Sequence, residues 1–162
     1  MRMVRVGLMA LALALVGVCA GARADEKKIP LDQVPKAVLD AARKHFPGAQ
    51  LRGAEIETEK GKTMYEIALT HKGQKYDAIF TATGTLTEYE RVIATAELPA
   101  VVRQAVDKKY PKCTIRRVEA ETRVNNGKHK LAGYEIQITT SDNKKHEVVV
   151  TPNGQIKEGD ED

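Results

Sequence analysis

The sequence has no tryptophan, two phenylalanines and five tyrosines among 162 residues. Stacking platforms for single-stranded nucleic acid need several aromatic side chains, and a 4% aromatic content does not supply them. Serine occurs once, as Ser141 within Thr140-Ser141-Asp142-Asn143. A serine in such a turn bonds local backbone, and no G-x-S-x-G elbow surrounds it. Cysteine occurs twice, as Cys19 and Cys113. His45, His71, His129 and His146 form no H-x-x-x-H or H-E-x-x-H pair, and there is no C-x-x-C. The spacing therefore predicts no metal site and no cofactor. With no nucleophile beside a base and no ligand pair, the chain is read as non-enzymatic.

Acidic and basic residues are nearly balanced once the chain is divided. The formal charge is +4 and the sequence pI about 9.0. Yet the first 24 residues hold Arg2, Arg5 and Arg23 and no acid. The remaining 138 carry 23 bases and 22 acids. Arg2 and Arg5 precede an apolar run over 6–20, then Ala22-Arg23-Ala24 and Asp25-Glu26. A basic start, a short apolar run and an A-x-A site in that order predict a cleaved signal peptide over 1–24. The 15-residue run is shorter than the ~18–20 residues a membrane span needs. The expectation is an exported protein, periplasmic or secreted, with no stable membrane anchor after cleavage and no nucleic-acid partner. Cys113 is then the only cysteine left, which excludes an intramolecular disulfide and makes a small apolar filler its default role.

The chain contains an internal repeat. Residues 34–58, VPKAVLDAARKHFPGAQLRGAEIET, align at a shift of 64 with residues 98–122, LPAVVRQAVDKKYPKCTIRRVEAET. Nine of the 25 positions are identical, among them Pro35/Pro99, Pro47/Pro111, Glu55/Glu119 and Glu57/Glu121. Five extra residues around Asn125-Asn126-Gly127 and one near Asp142-Asn143 move the later matches, Tyr65-Glu66-Ile67 with Tyr134-Glu135-Ile136 and Gly84 with Gly154. Both insertions fall on turn residues, where added length costs little.

Each unit opens with apolar residues at helical spacing: Val34, Ala37, Val38, Ala41 and Phe46, then Leu98, Val101, Val102, Ala105 and Tyr110. Asp32 and Thr95 are the expected N-caps. Pro47 and Pro111 stop the helices. Alternating strands are expected at 51–59, 63–70, 76–82 and 85–90, and again at 114–124, 133–140, 145–151 and 155–158. The predicted fold class is α+β, two tandem αββββ repeats, each a helix packed on its own four-stranded antiparallel sheet. The expected division is a linker at 25–31, repeats at 32–93 and 96–159, and an acidic tail at 160–162.

The helix opening on Val34-Pro35 or Leu98-Pro99, closing on His45-Phe46-Pro47-Gly48-Ala49 or Lys109-Tyr110-Pro111-Lys112-Cys113, followed by Tyr-Glu-Ile and a glycine in the last turn, resembles the PepSY-like domain. That family is grouped structurally with bacterial β-lactamase-inhibitor proteins. The resemblance covers nearly all of 30–158 in two copies. It implies an exported, non-enzymatic module whose relatives inhibit peptidases or β-lactamases. No motif matches the loops by which those inhibitors grip enzymes, so no inhibitory residue carries over.

The acids fall in a repeated pattern. Opposite the apolar stripe stand Glu55, Glu57, Glu66 and Asp77, matched by Glu119, Glu121, Glu135 and Glu147. Like charges opposite one another cost a sheet up to ~1 kcal/mol per pair. Two explanations fit. One is a solvated outer face offset by Arg52, Arg116, Lys62 and Lys75. The other is a face that receives a basic partner, a divalent cation or a protein or peptide such as a peptidase or another exported enzyme. The functional expectation is a binding or inhibitor-like module acting through these eight carboxylates. The alternative is a periplasmic carrier of a small ligand or metal, its groove on the sheet or at the junction over 92–97.

Overall fold

The computed structural model describes residues 25–59 and 61–157. The expected signal peptide over 1–24 and the acidic tail at 160–162 fall outside those residues. Nine strands follow one another: β1 (Asp25–Ile29), β2 (Gln50–Glu59), β3 (Lys62–His71), β4 (Gln74–Thr81), β5 (Leu86–Ile93), β6 (Thr114–Asn125), β7 (Lys128–Thr139), β8 (Lys145–Val150) and β9 (Ile156–Lys157). Two ten-residue helices, α1 (Lys36–His45) and α2 (Ala100–Lys109), lie between β1 and β2 and between β5 and β6.

The expected pair of four-stranded sheets, one per αββββ repeat, does not form. All nine strands belong to one antiparallel sheet whose spatial order follows the chain, β1 to β9. The fusion occurs at β5 and β6, paired from Glu88↔Arg123 to Ile93↔Val118. An isolated β5 would present a row of unpaired N–H and C=O groups at an edge, and β6 satisfies them. Residues 25–29, read as linker, add a further strand to β2, with Lys28 opposite Glu55 and Ile29 opposite Ala54.

Both helices pack on the same face. Tyr76 pairs with Arg91, Arg91 with Ala120, and Ala120 with Tyr134; cross-strand partners project to one side. Val38 and Ala42 of α1 join Ile67, Leu69, Ala78 and Phe80 in one core. Val102 and Val106 of α2 join Val118, Ile136, Ile138, Val148 and Val150 in the other. The helices begin on Pro35 and Pro99, with no side-chain cap. Asp32 and Thr95, the expected caps, instead lie in single 3-10 turns, Leu31–Gln33 and Thr95–Glu97. The second turn is closed by the Glu97 carboxylate, which accepts from the Ala94 N–H at 2.8 Å.

One glycine per unit fixes how closely sheet and helix approach. Gly84 and Gly154 both sit at φ +82° in matching turns. Their N–H groups donate to the carbonyls of Thr81 and Thr151 at 2.9 Å. A Cβ on Gly84 would lie 2.4 Å from the backbone oxygen of Ala37 in α1. On Gly154 it would meet Val101 of α2 at 2.8 Å through Cγ2 and 2.9 Å through the backbone oxygen. Only glycine tolerates both the left-handed backbone and the contact.

Candidate functional site: an acidic sheet face

The face turned away from the helices carries the repeated acids. Glu55 stands opposite Glu66, and Asp77 opposite Glu90. Glu90 stands opposite Glu121, and Glu119 opposite Glu135. Gln137 separates Arg117 from Glu147, and Glu57 faces Met64. The register thus brings all eight sequence-chosen carboxylates to one side, and the β5–β6 seam joins the two units' sets.

Two members escaped the sequence pattern, Glu88 and Glu90 of β5. Leu86 and Glu88 have the same parity, so alternation alone assigns them one face. A register shift lies between Ile79 and Phe80: Ile79 pairs with Glu88 while Phe80 pairs with Leu86. This irregularity turns Leu86 into the core and Glu88 onto the acidic face. The alternation Glu88-Tyr89-Glu90-Arg91 was the available signal for Glu90, since Tyr89 packs against the α1 core.

Burial is unusual for acids without a covering helix. Glu88, Glu119, Glu121 and Glu135 are only 5–8% exposed. Two arginines of β6 sit among them. Arg117 lies 2.6 Å from Glu119 and 3.7 Å from Asp77. Arg123 lies 2.7 Å from Glu121 and 3.4 Å from Glu88. Each therefore ties β6 to the first unit. Lys28 reaches Glu55 at 3.7 Å. The expected offsets Arg52 and Arg116 instead donate to Thr70 and Thr139 hydroxyls, at 3.4 and 3.2 Å.

Protonation absorbs part of the remaining repulsion. Burial, then the charges of Glu119, Glu88, Glu66 and Asp77, pushes Glu90 up to about 8. Burial and Glu119 raise Asp77 against the pull of Arg117. Glu135 is held far above the ordinary carboxylate range by burial, by Glu90 and by Glu147. Its neighbour Glu147 is itself raised by burial.

The other singled-out residues lie elsewhere. Ser141 is exposed in a turn. Cys113 is half-buried against the α2 core, and burial, then Asp107, pushes its thiol up, away from the nucleophilic thiolate. His146 stacks on Tyr110 with ring centres 5.4 Å apart. His45, His71 and His129, distant in sequence, meet at one cleft on the helix-bearing face. Among the described residues, no three His, Cys, Asp or Glu side chains are arranged to hold a metal ion, and no helix is long and apolar enough to cross a membrane.

Comparison with known proteins agrees with this architecture. No curated protein matches the sequence. The chain is similar in fold to a BLIP-like protein from Bacteroides fragilis, with 17% identity, 76% of this chain and 82% of that one covered, and a TM-score of 0.55. A "putative periplasmic" protein from Bacteroides eggerthii shares 18% identity over 76% and 85% of the two chains, with a TM-score of 0.60. A DUF2874 family protein from Bacteroides ovatus shares 18% over 78% and 86%, with a TM-score of 0.59. The family model described as "Putative beta-lactamase-inhibitor-like, PepSY-like" matches residues 22–88 and 71–158. Two matches that together span the described chain place it in a family: it belongs to the beta-lactamase-inhibitor-like, PepSY-like proteins.

Proposed function

We propose that this protein is an exported, non-enzymatic binding module, inhibitor-like in its mode of action. Its acidic sheet face receives a basic segment of a protein or peptide partner, such as a peptidase or another exported enzyme. The observation that carries this reading is the joining of both units' carboxylates into one field across the β5–β6 seam, from Glu55 to Glu147. A field assembled from two repeats offers a partner several charge contacts at once, which raises the encounter rate and selects against acidic competitors. A lysine or arginine laid on it stabilises the charged carboxylates, so binding releases protons from Glu90 and Glu135. Affinity then rises with pH through about 8, the value to which Glu90 is pushed, and falls with added salt.

The test is calorimetric titration with a lysine-rich peptide in two buffers of different ionisation enthalpy. Proton release and at least tenfold weaker binding after Glu55, Glu57, Glu119 and Glu121 are changed to Gln support the proposal. An affinity indifferent to those four changes would falsify it.

A further inference from the structure

The helix-bearing face holds a cleft of about 390 Å³ beside the end of α1, within the range of small-molecule sites. Its aromatic rings form a continuous set. Phe46 packs on Tyr76 at 5.3 Å and on His71 and Tyr89 at 5.9 Å, and Tyr89 packs on His129 at 5.7 Å. Arg91 lies in the same cleft, and no carboxylate lines it among the described residues. The Arg91 Nη1 donates to Gln74 at 3.3 Å and stands 3.9 Å from the half-exposed Glu97. A guanidinium has five N–H donors, so capacity remains for a further acceptor.

One wall comes from the second unit. Thr122, His129 and Leu131 belong to β6 and β7, the hairpin lengthened by the five residues that break the repeat. Leu131 is one of two large apolar side chains left exposed among the described residues, at 38%. It lines the cleft.

Arg91 supplies the fixed positive charge of the lining. Burial, then the charges of His129 and Lys44, holds His45 below its ordinary value. The cleft is thus lined by rings, apolar groups and one fixed cation, Arg91. We propose that the cleft binds a small organic anion with a planar apolar body, of the aromatic carboxylate or sulfonate class. The ring set of Phe46, Tyr76 and Tyr89 would stack on the body, and Arg91 with the imidazoles would take the anionic group. This site is independent of the acidic face and stands or falls separately.

The test uses 1-anilinonaphthalene-8-sulfonate as probe, with protein purified after expression of the full chain. Its fluorescence titration is compared with that of N-phenyl-1-naphthylamine, which has the same rings without the charge. The expected result is a single site for the sulfonate, at least tenfold tighter than for the neutral probe. Leu131→Asp and Arg91→Gln should each weaken the sulfonate at least tenfold while the thermal midpoint stays within a few degrees. Val101→Asp, at the other exposed apolar side chain, should leave binding unchanged. Equal affinity for both probes overturns the proposal. So does loss of binding in Val101→Asp with retention in Leu131→Asp, which would place the probe on α2. Leu131→Asp needs no buried rearrangement, so it remains decisive if Arg91→Gln fails to fold.

Discussion

The two units share a pattern but manage it differently. In the first, Glu55, Glu57 and Glu66 are half-buried, and the core beneath is aromatic, with Phe46, Phe80, Tyr65, Tyr76 and Tyr89. In the second, Glu119, Glu121 and Glu135 are 5–7% exposed over an aliphatic core of valines and isoleucines. The second unit also has Arg117 where the first has Gly53. The deeper carboxylates thus come with a guanidinium at 2.6 Å, as desolvation requires. Acids recur at matched positions of the two units, and the deeper ones at β6 sit closest to their counterions.

Arg117→Ala breaks this difference most directly. It leaves Glu119 buried without its bonded cation, and ~3 kcal/mol of stability should be lost in urea unfolding. Its exposed neighbour Arg116, bonded to Thr139, should cost under ~0.5 kcal/mol when changed to Ala.

The turn glycines test the symmetry of the two helix contacts. Gly84→Ala meets a backbone oxygen at 2.4 Å, whereas the nearest atom to a Cβ on Gly154 is a valine methyl. Losses of ~2–3 kcal/mol and ~1–2 kcal/mol, in that order, are expected from chemical denaturation. Equal losses would show that the Val101 methyl and backbone oxygen together yield no more than the Ala37 oxygen does.

Stability against pH separates the seam and the second unit from the rest. Glu90, Glu135 and Glu147 are all raised, so in this range the folded chain holds more protons than the unfolded one. Stability should therefore fall as pH rises from ~4.5 towards 8, by roughly 2 kcal/mol or ~5–10 °C in thermal midpoint. Glu135→Gln should flatten that slope. A smaller effect, of opposite sign, belongs to Glu90→Gln. It removes a carboxylate facing Asp77 and Glu121 and should stabilise by ~1 kcal/mol at pH 8, with no gain at pH 5, where Glu90 is already protonated.

Side-chain alternation was enough to place Glu55, Glu57, Glu66, Asp77 and their four partners on one face, because a strand has a period of two. It failed at Glu88, where a bulge changes parity without any glycine or proline to mark it. The fusion at β5 and β6 was illegible for a different reason: it is made by backbone groups that every residue carries. Strand β1 hid likewise, since Asp25-Glu26-Lys27-Lys28 looks like a solvated linker until its main chain pairs with β2. The cleft was invisible because His45, His71 and His129 come from three elements that only the register unites. The family resemblance, by contrast, rests on local helix-end and turn motifs, which sequence displays directly.

A strand order that never departs from chain order has a kinetic consequence. Every pairing in the sheet joins strands consecutive along the chain, so no segment must wait for a distant one before it can dock. The sheet can zip hairpin by hairpin, and the helix returns at 36–45 and 100–109 are the only long loops to close. Such locality favours fast folding for a β-rich chain. It also lets a lineage lengthen the sheet by copying a unit at its end, with nothing to rethread.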